Sequence, residues 1–240
     1  MAEEDKVEKV AKVKEWIVGG CVRDEMLGRP AHDVDIAIEG FEDYDAFREH
    51  VTRDAGVIVC VEKRDLFCIR CKKAPFGYAD FVHCRQDGPY KDGRHPVSVV
   101  PGNIMTDLAR RDFTMNAMAK DTVTREILDP FGGRQDIKMK IIRAVGPNPQ
   151  LRFQEDALRI LRAMRFAIIL GFTIEPATLD AMIAEKHNLS KLSSCRIYEE
   201  LKRCFAVDSS ATLAWITRLG ISEILFRECG VSLLPTLKKS

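Results

Sequence analysis

A glycine pair followed by a strand with alternating aspartates is the feature that most restricts how this chain can fold. Residues 16–18 form a short apolar strand candidate that ends at Gly19 and Gly20, and a helical run follows. After a turn, the segment HDVDIAIEG alternates polar and apolar residues with the period of a strand. This order predicts a domain of mixed strands and helices, with Asp33 and Asp35 on one face of the same strand.

Hydrophobic periodicity predicts the remaining elements and an α+β fold. A mixed sheet with helices is expected over residues 1–137, and an all-helical domain over residues 138–240, with the Pro and Gly of DPFGGRQD at the boundary. The long segment 86–106, rich in Gly, Pro, Asp and Asn, predicts a loop. The other predicted elements are helices at 5–15, 43–54, 107–119 and from 151 onward, and strands at 57–61, 66–71 and 78–85.

Composition indicates an ordinary folded protein, since 46% of the 240 residues are hydrophobic. With 37 basic and 36 acidic residues the net charge is +1, so overall charge does not indicate a nucleic-acid partner. A local excess of arginine is compatible with phosphate binding, although a solvated helix face would have the same composition. The arginines of this stretch are Arg143, Arg152, Arg159, Arg162 and Arg165.

The beginning of the chain, MAEEDKVEKVAKVKEW, is charged and lacks the apolar core of a secretory signal. We therefore expect a cytoplasmic protein whose eight scattered cysteines are reduced thiols. The pair Cys68 and Cys71 could begin a zinc site, but on a strand the two side chains face opposite sides, which favours structural cysteines. Apolar runs are too short to span a bilayer, so no membrane partner is predicted.

The two same-strand aspartates suggest the chemistry of the chain. Carboxylate oxygens are the ligands that Mg²⁺ prefers, and transfer of a nucleotide needs carboxylates that hold metal near the attacking hydroxyl and the triphosphate. A glycine turn just before them lets backbone amides approach phosphate closely. The alternating polar residues of a strand that simply faces solvent would give the same short pattern.

Five motifs in order resemble the class II nucleotidyltransferases of the polymerase beta superfamily, which include CCA-adding enzymes and bacterial poly(A) polymerases. GGCVRD followed by LGRP and DVD is similar to the metal-binding motif, and YADFVHCR to the strand with the third carboxylate. ARRDFTMNAMA resembles the ribose motif, DPFGGRQDI the hinge, and RFQEDALRILRAMRF the base-reading helix. The resemblance implies a polymerase-beta-like head followed by a helical neck.

The resemblance also implies roles for residues of the head. Asp33 and Asp35 correspond to ligands of two Mg²⁺ ions, and Asp80 to the third acid, which helps to activate the RNA 3′-hydroxyl. Asp80 could instead be an exposed aspartate at the end of a strand. The residues expected to contact the triphosphate are Gly19, Gly20 and Arg23; Gly20 could also be a plain turn residue.

Further resemblance concerns the sugar and the base of the nucleotide. Arg110, Arg111, Asp112 and Asn116 correspond to residues that read the ribose, although Asp112 also suits the N-cap of a helix. Their apolar neighbours are predicted to be core. In EDALRILRAMRF, the spacing i and i+3 puts Asp156 and Arg159 on one helix face, where they would read the edge of the base or form a surface salt bridge. Arg162 and Arg165 follow on the same helix as further nucleotide-binding candidates.

The family divides into several activities with nearly the same motifs. Addition of CCA to the 3′ end of tRNA from CTP and ATP is the first expectation, since the segment KDGRHPVSV with Arg94 resembles the loop needed for adding A. A-only addition, CC-only addition, poly(A) synthesis and a catalytically idle RNA-binding subunit are the alternatives. Family members continue well past the neck, so the chain is expected to be either a fragment or a short form.

Overall fold

The structure is a computed structural model that describes residues 13–30, 34–54, 56–73, 77–90 and 96–230. It divides into two compact units whose segments alternate along the chain. The first draws on Met1–Gln86, Val99–Leu108 and Ala119–Leu128, and the second on Asp87–Ser98, Ala109–Met118 and Asp129–Ser240. The domain boundary near residue 138 stays a prediction.

Strands and helices alternate in the first half of the chain and helices dominate the second. The strands are β1 (Lys14–Val18), β2 (Val34–Glu39), β3 (Val57–Lys63), β4 (Cys68–Lys73), β5 (Gly77–His83), β6 (Arg85–Asp87), β7 (Val99–Pro101), β8 (Ala119–Asp121), β9 (Ile127–Leu128), β10 (Ile141–Ile142) and β11 (Thr173–Ile174). The α-helices are α1 (Gly20–Met26), α2 (Tyr44–Thr52), α3 (Ile104–Ala109), α4 (Gly133–Met139), α5 (Pro149–Glu155), α6 (Leu158–Leu170), α7 (Pro176–Glu185), α8 (Ser194–Phe205) and α9 (Ser209–Leu219). Tighter 3₁₀ turns occupy Arg64–Leu66, Thr114–Asn116 and Lys186–Lys191, and Ile224–Glu228 is a π-helical turn.

A seven-stranded mixed sheet forms the first unit, with the strand order β3-β4-β5-β2-β1-β8-β9. Strands β2 and β5 pair in parallel, and the other neighbours within the sheet pair antiparallel. One face packs against α2, where Phe47 and Val51 meet Ile38 and Phe81 of the sheet. Because side chains alternate along a strand, the residues between these apolar ones point to the opposite face.

Helices build most of the second unit, where α5 packs against α7 and α6 packs against α8 and α9. Asn148 caps the start of α5 by accepting a hydrogen bond from the Gln150 N–H, and a proline follows at the first helical position. Helix α6 ends at Gly171, whose φ of 67° is in the left-handed region that favours glycine. These signals explain why the predicted helical pattern begins and stops where it does.

The predicted helix over residues 107–119 is wrong. Helix α3 ends at Ala109, and Phe113 instead forms an isolated β-bridge with Ala144. The Thr114 N–H donates to the Arg143 carbonyl at 2.9 Å, so the backbone pairs with a distant segment in place of its own helix. The apolar residues of this segment are nevertheless fully buried, as predicted, and they are Phe113, Met115 and Met118.

Two other predicted elements also differ from the structure. The described part of the predicted loop 86–106 is a ribbon in which β6 pairs with β7, and α3 begins at Ile104. In the predicted helix over residues 5–15, Lys14 and Glu15 belong to strand β1, and residues 5–12 lie outside the described residues.

The prediction of an all-helical domain over residues 138–240 is wrong in one respect, since the short strands β10 and β11 pair in parallel there. The α+β fold class is confirmed by the mixed sheet and the helices that follow it. All eight cysteines are free thiols in the structure. In the part of the chain that the structure describes, no helix is long and apolar enough to cross a membrane.

Candidate functional site

Asp35 and Asp80 lie side by side on the sheet of the first unit. They are register partners on the parallel strands β2 and β5, so their side chains point to the same face. Ile36 and Phe81, the next register pair, belong to the opposite face that packs near α2. Neighbouring strands are about 4.8 Å apart, which brings the two carboxylates within reach of one ligand. Strand pairing alone thus places two carboxylates together on the sheet face opposite to α2.

Asp35 and Asp80 would hold a hard divalent cation only together with a further carboxylate, which the sequence predicts to be Asp33. Asp33 precedes β2 in the sequence and lies outside the described residues. Among the described residues, no group of three or more His, Cys, Asp or Glu side chains converges on one point. The two half-buried aspartates supply oxygen ligands of the kind that Mg²⁺ prefers.

The glycine turn before α1 has the backbone conformation that its sequence suggests. Gly19 adopts a φ of 72° with a ψ of −133°, a combination that residues with a Cβ rarely reach, and it precedes the first turn of the helix. Arg23 lies close by and forms a two-point ion pair with Asp24, its Nε donating to Oδ1 at 2.8 Å. A Cβ added at Gly20 would contact the Arg23 guanidinium at 3.4 Å, so Gly20 fits as an ordinary turn residue too.

Asp112 is the centre of a buried polar cluster in the second unit. Its Oδ1 accepts from the Phe113 N–H at 2.8 Å and from the Asn116 side-chain amide at 3.0 Å, and its Oδ2 accepts from Arg162 Nε at 2.8 Å. Burial alone raises the pKa of Asp112, but Arg162, the Asn116 hydrogen bond and Arg159 outweigh that effect and lower it to about 2. The carboxylate is therefore ionised and fixed in orientation.

The alternative role of Asp112 as a helix cap is wrong. The 3₁₀ turn that follows begins after Phe113 and has no side-chain cap. Arg110 and Arg111 are both half-buried beside this cluster. The Arg110 carbonyl accepts a hydrogen bond from Arg159 Nη2 at 2.8 Å, which ties the predicted ribose motif to the predicted base-reading motif within one unit.

Asp156 and Arg159 do not share a helix face, contrary to the prediction. Helix α5 ends at Glu155, Asp156 is extended with a φ of −150°, and α6 begins at Leu158. The break occurs because the Asp156 carboxylate accepts from the Leu158 N–H at 3.0 Å, which caps the start of the new helix. The i and i+3 spacing therefore carries no information about a shared face here.

Each of the two residues has a different ionic partner. Arg159 is buried, and its Nη1 donates to Glu155 at 2.8 Å. Asp156 Oδ2 accepts from Nη2 of Arg196, a residue of α8, at 2.9 Å. Asp156 and Arg159 therefore do not form a surface salt bridge with each other, because each side chain pairs with a different group.

Arg196 is a site residue that the sequence reasoning missed. It follows Asp156 by 40 residues and comes from a different helix, so no local spacing connects the two. Its Nη1 is buried and has no hydrogen-bond partner among the described residues. A buried donor of this kind is rare in proteins and commonly meets water or a ligand.

The arginine-rich stretch is neutralised internally. Arg143 pairs with Asp136, Arg152 with Glu155, and Arg165 with the buried Glu200 at 2.6 Å. The Arg165 guanidinium also lies over the Phe166 ring, 4.4 Å from its centre. These side chains therefore form neither a bare phosphate-binding surface nor a solvated helix face, and Arg165 has the contacts of a structural residue.

Two family models and many curated relatives match this chain. Residues 15–143 match the family model for the poly A polymerase head domain, and residues 171–230 match the model named "Probable RNA and SrmB- binding site of polymerase A". The CCA-adding enzyme of Oceanobacillus iheyensis is 41% identical over 212 residues, which is 88% of this chain and 50% of that enzyme.

Solved structures show the same fold. The crystal structure of the Bacillus stearothermophilus CCA-adding enzyme in complex with CTP has a TM-score of 0.77 and 33% identity, and the match covers 91% of this chain and 51% of that one. A tRNA nucleotidyltransferase complexed with a primer tRNA and an incoming ATP analog has a TM-score of 0.74 and 29% identity, over 90% and 60% of the two chains.

This chain spans about half the length of the curated relatives it matches. The head-domain match nevertheless covers more than half of the chain, and the sheet that bears Asp35 and Asp80 lies within it. The chain therefore belongs to the poly A polymerase head domain family, the family of CCA-adding enzymes and bacterial poly(A) polymerases that its motifs resemble.

Proposed function

We propose that the protein adds CCA to the 3′ end of tRNA, using CTP and ATP, without a nucleic-acid template. The observation that carries this proposal is the register pairing of Asp35 with Asp80, two carboxylates on one sheet face in a family of nucleotidyl-transferring enzymes. The relatives named above, one in complex with CTP and one with primer tRNA and an ATP analog, support the choice of substrates.

Carboxylates of the first unit are the proposed metal site. Asp33 and Asp35 would hold two Mg²⁺ ions, and Asp80 would orient the 3′-hydroxyl of the RNA beside them. When bound, such ions neutralise charge on the triphosphate and lower the pKa of the attacking hydroxyl. Gly19, Gly20 and Arg23 would meet the triphosphate, since the backbone of Gly19 allows close approach of phosphate oxygens.

The second unit would recognise the nucleotide. Asp112, fixed by Arg162 and Asn116, is an ionised acceptor suited to a ribose hydroxyl, which would select ribonucleotides. Asp156 would accept from the exocyclic amino group that cytosine and adenine share, and Arg159 would donate to a ring acceptor. Arg110 and Arg111 complete the proposed set, and Arg162 acts through Asp112.

A-only addition, CC-only addition and poly(A) synthesis are the other activities of the same site. The segment with Arg94, on which the choice of CCA addition depended, lies outside the described residues. The register pairing of Asp35 with Asp80 argues against a catalytically idle subunit, because the fold itself does not require two facing carboxylates on neighbouring strands. We propose a cytoplasmic location, where its tRNA substrate and both nucleotides are present.

One assay separates these activities. The protein is incubated with Mg²⁺, labelled CTP or ATP, and three tRNAs that end before the first C, after one C and after CC. Extension of all three to a complete CCA end is expected. A long adenosine ladder would identify a poly(A) polymerase, and extension of only one or two of the tRNAs would identify a partial enzyme. Omitting the divalent metal should abolish every product.

A further inference from the structure

Asp80 is held by an arginine that no sequence motif singled out. Arg70 Nε donates to Oδ1 of Asp80 at 2.6 Å, and Arg70 Nη2 donates to Oδ2 at 2.5 Å. Two parallel hydrogen bonds of this type fix both the position and the rotation of a carboxylate. The contact follows from the sheet, because Arg70 on β4 is the register partner of Asp80 on β5.

The pair belongs to a row of side chains across the sheet, in which Asp35 and Asp80 form what we call the acidic row. Arg70, Asp80 and Asp35 are successive register partners on β4, β5 and β2, so their side chains lie on one face in the order positive, negative, negative. Two neighbouring carboxylates repel each other, and a guanidinium beside them offsets part of that repulsion.

Exposure indicates what the pair can contribute. The Arg70 side chain is 51% exposed and the Asp80 side chain 22% exposed. Ion pairs that water can reach add little to folding stability. The geometric effect of the pair remains, since an oriented carboxylate needs no rearrangement before it positions the attacking hydroxyl. The arrangement therefore suits a role in the site better than a role in the stability of the sheet.

We propose that Arg70 is a positioning residue, which holds the Asp80 carboxylate in line with Asp35 and sets how strongly this row binds a divalent cation. The inference rests on the proposed function of the acidic row. An ionised carboxylate has about four lone-pair sites, so Asp80 keeps sites for a cation or a hydroxyl while both oxygens accept from Arg70.

The test measures cation binding and catalysis separately. Mn²⁺ binding to the Arg70→Gln variant is followed by calorimetry in the absence of nucleotide and RNA, and transfer is measured on tRNA with CTP. Loss of a neighbouring positive charge should tighten Mn²⁺ binding about threefold or more. Loss of orientation should lower kcat about tenfold, with little change in the KM for CTP. Opposite directions for binding and catalysis are the signature of the proposed role.

Two variants keep the test specific. Lys72→Gln removes a positive charge from the same strand and the same face, two residues away, and should change neither quantity by more than about twofold. Arg70→Lys keeps the charge without the two-point contact, so it should bind Mn²⁺ like the unmodified protein and still lose kcat. Thermal unfolding of each variant, followed by circular dichroism, identifies any loss of fold.

Several results would overturn the inference. Equal effects of Arg70→Gln and Lys72→Gln would show that only general charge matters, and unchanged kcat in Arg70→Gln would show that Asp80 needs no positioning. An Arg70→Gln change that persists in an Asp80→Asn background would show that Arg70 does not act through Asp80. An unmodified protein that neither binds Mn²⁺ nor transfers nucleotides would instead contradict the proposed function itself.

Discussion

The two units present their acidic side chains in opposite ways. In the first unit, Asp35 and Asp80 are half-buried on one sheet face, and the position of each follows from strand pairing. In the second unit, Asp112 and Glu200 are buried and each is paired with an arginine of α6. The first pair is partly accessible to solvent even where Arg70 pairs with Asp80, whereas the second is buried against its arginines and has a fixed shape.

This difference indicates which residues can be changed without loss of the fold. A partly exposed carboxylate on a sheet face contributes little to packing, so its replacement should affect function and spare stability. A buried carboxylate with a guanidinium partner contributes to the fold, because removing one member leaves the other charge without compensation. Four substitutions test the contrast, beginning with the largest expected effect.

The first prediction concerns the acidic row of Asp35 and Asp80. Asp35→Ala should lower the rate of nucleotide transfer by about a thousandfold or more, because a lost metal ligand removes several kcal/mol of transition-state stabilisation. The melting temperature should stay the same or rise, since one source of carboxylate repulsion disappears. Single-turnover transfer to tRNA and thermal unfolding measure the two quantities.

Asp45→Ala is the matched control for that substitution. Asp45 belongs to the same unit, is 69% exposed and forms an ion pair with Arg64 on the surface. Its replacement should alter neither transfer nor the melting temperature. A normal transfer rate in Asp35→Ala would exclude this aspartate as a metal ligand.

The second prediction concerns the buried cluster, where Asp112→Asn should destabilise the fold. The pKa of Asp112 is lowered from 3.8 to about 2, mainly by Arg162 acting against the effect of burial. That difference corresponds to about 2 to 3 kcal/mol of stability at neutral pH. Because the folded pKa is the lower one, this stability is fully present above pH 3.8 and is lost as the pH falls toward about 2.

Urea unfolding at several pH values measures this effect. The unmodified protein and Asp112→Asn should differ in the free energy of unfolding. This gap should be constant near neutral pH and should narrow below about pH 4. Asp180→Asn, which changes an exposed aspartate of α7 in the same unit, should show no gap. A gap that is absent at neutral pH would mean that Asp112 acts on the nucleotide alone.

The contrast also explains what the sequence could and could not reveal. Strand alternation is a local property with a period of two, so the face of β2 that bears Asp35 was predictable from a few residues. Register between β2 and β5 joins residues 45 positions apart, and the sequence indicated Asp80 only through its resemblance to a family motif. Arg70 had no such motif, and only the strand pairing reveals its contact with Asp80.

Predictions for the second unit failed where a side chain redirected the backbone. Most of residues 153–166 are helical, as their apolar spacing predicted. The Asp156 carboxylate, however, accepts a hydrogen bond from the Leu158 N–H, and a new helix begins there. A short polar side chain that competes with the backbone in this way cannot be recognised from apolar spacing. The partner of Asp156 then came from α8, far along the chain.

The last prediction concerns the base-reading residues, which combine features of both arrangements. Asp156 and its partner Arg196 are each 22% exposed, so the ion pair is half-buried. Uracil and guanine present a carbonyl where cytosine and adenine present an amino group, so Asp156 would face an acceptor and leave a polar group unpaired. Such a group costs about 1 to 3 kcal/mol, and Asp156→Ala should therefore relax selection against UTP and GTP by about tenfold to a hundredfold.

Arg196→Gln should have the smallest effect of the four, a relaxation of about tenfold, because the Asp156 carboxylate remains and only its orientation is lost. The measurement is kcat/KM for all four ribonucleotides, with Arg203→Gln as the control. Arg203 lies on the same helix, is 57% exposed and pairs with Glu200, so its replacement should leave selection unchanged. If Arg196→Gln and Asp156→Ala instead lowered activity evenly for the four nucleotides, the pair would only support the fold. Selection of cytosine and adenine would then have to depend on other groups, such as Arg159.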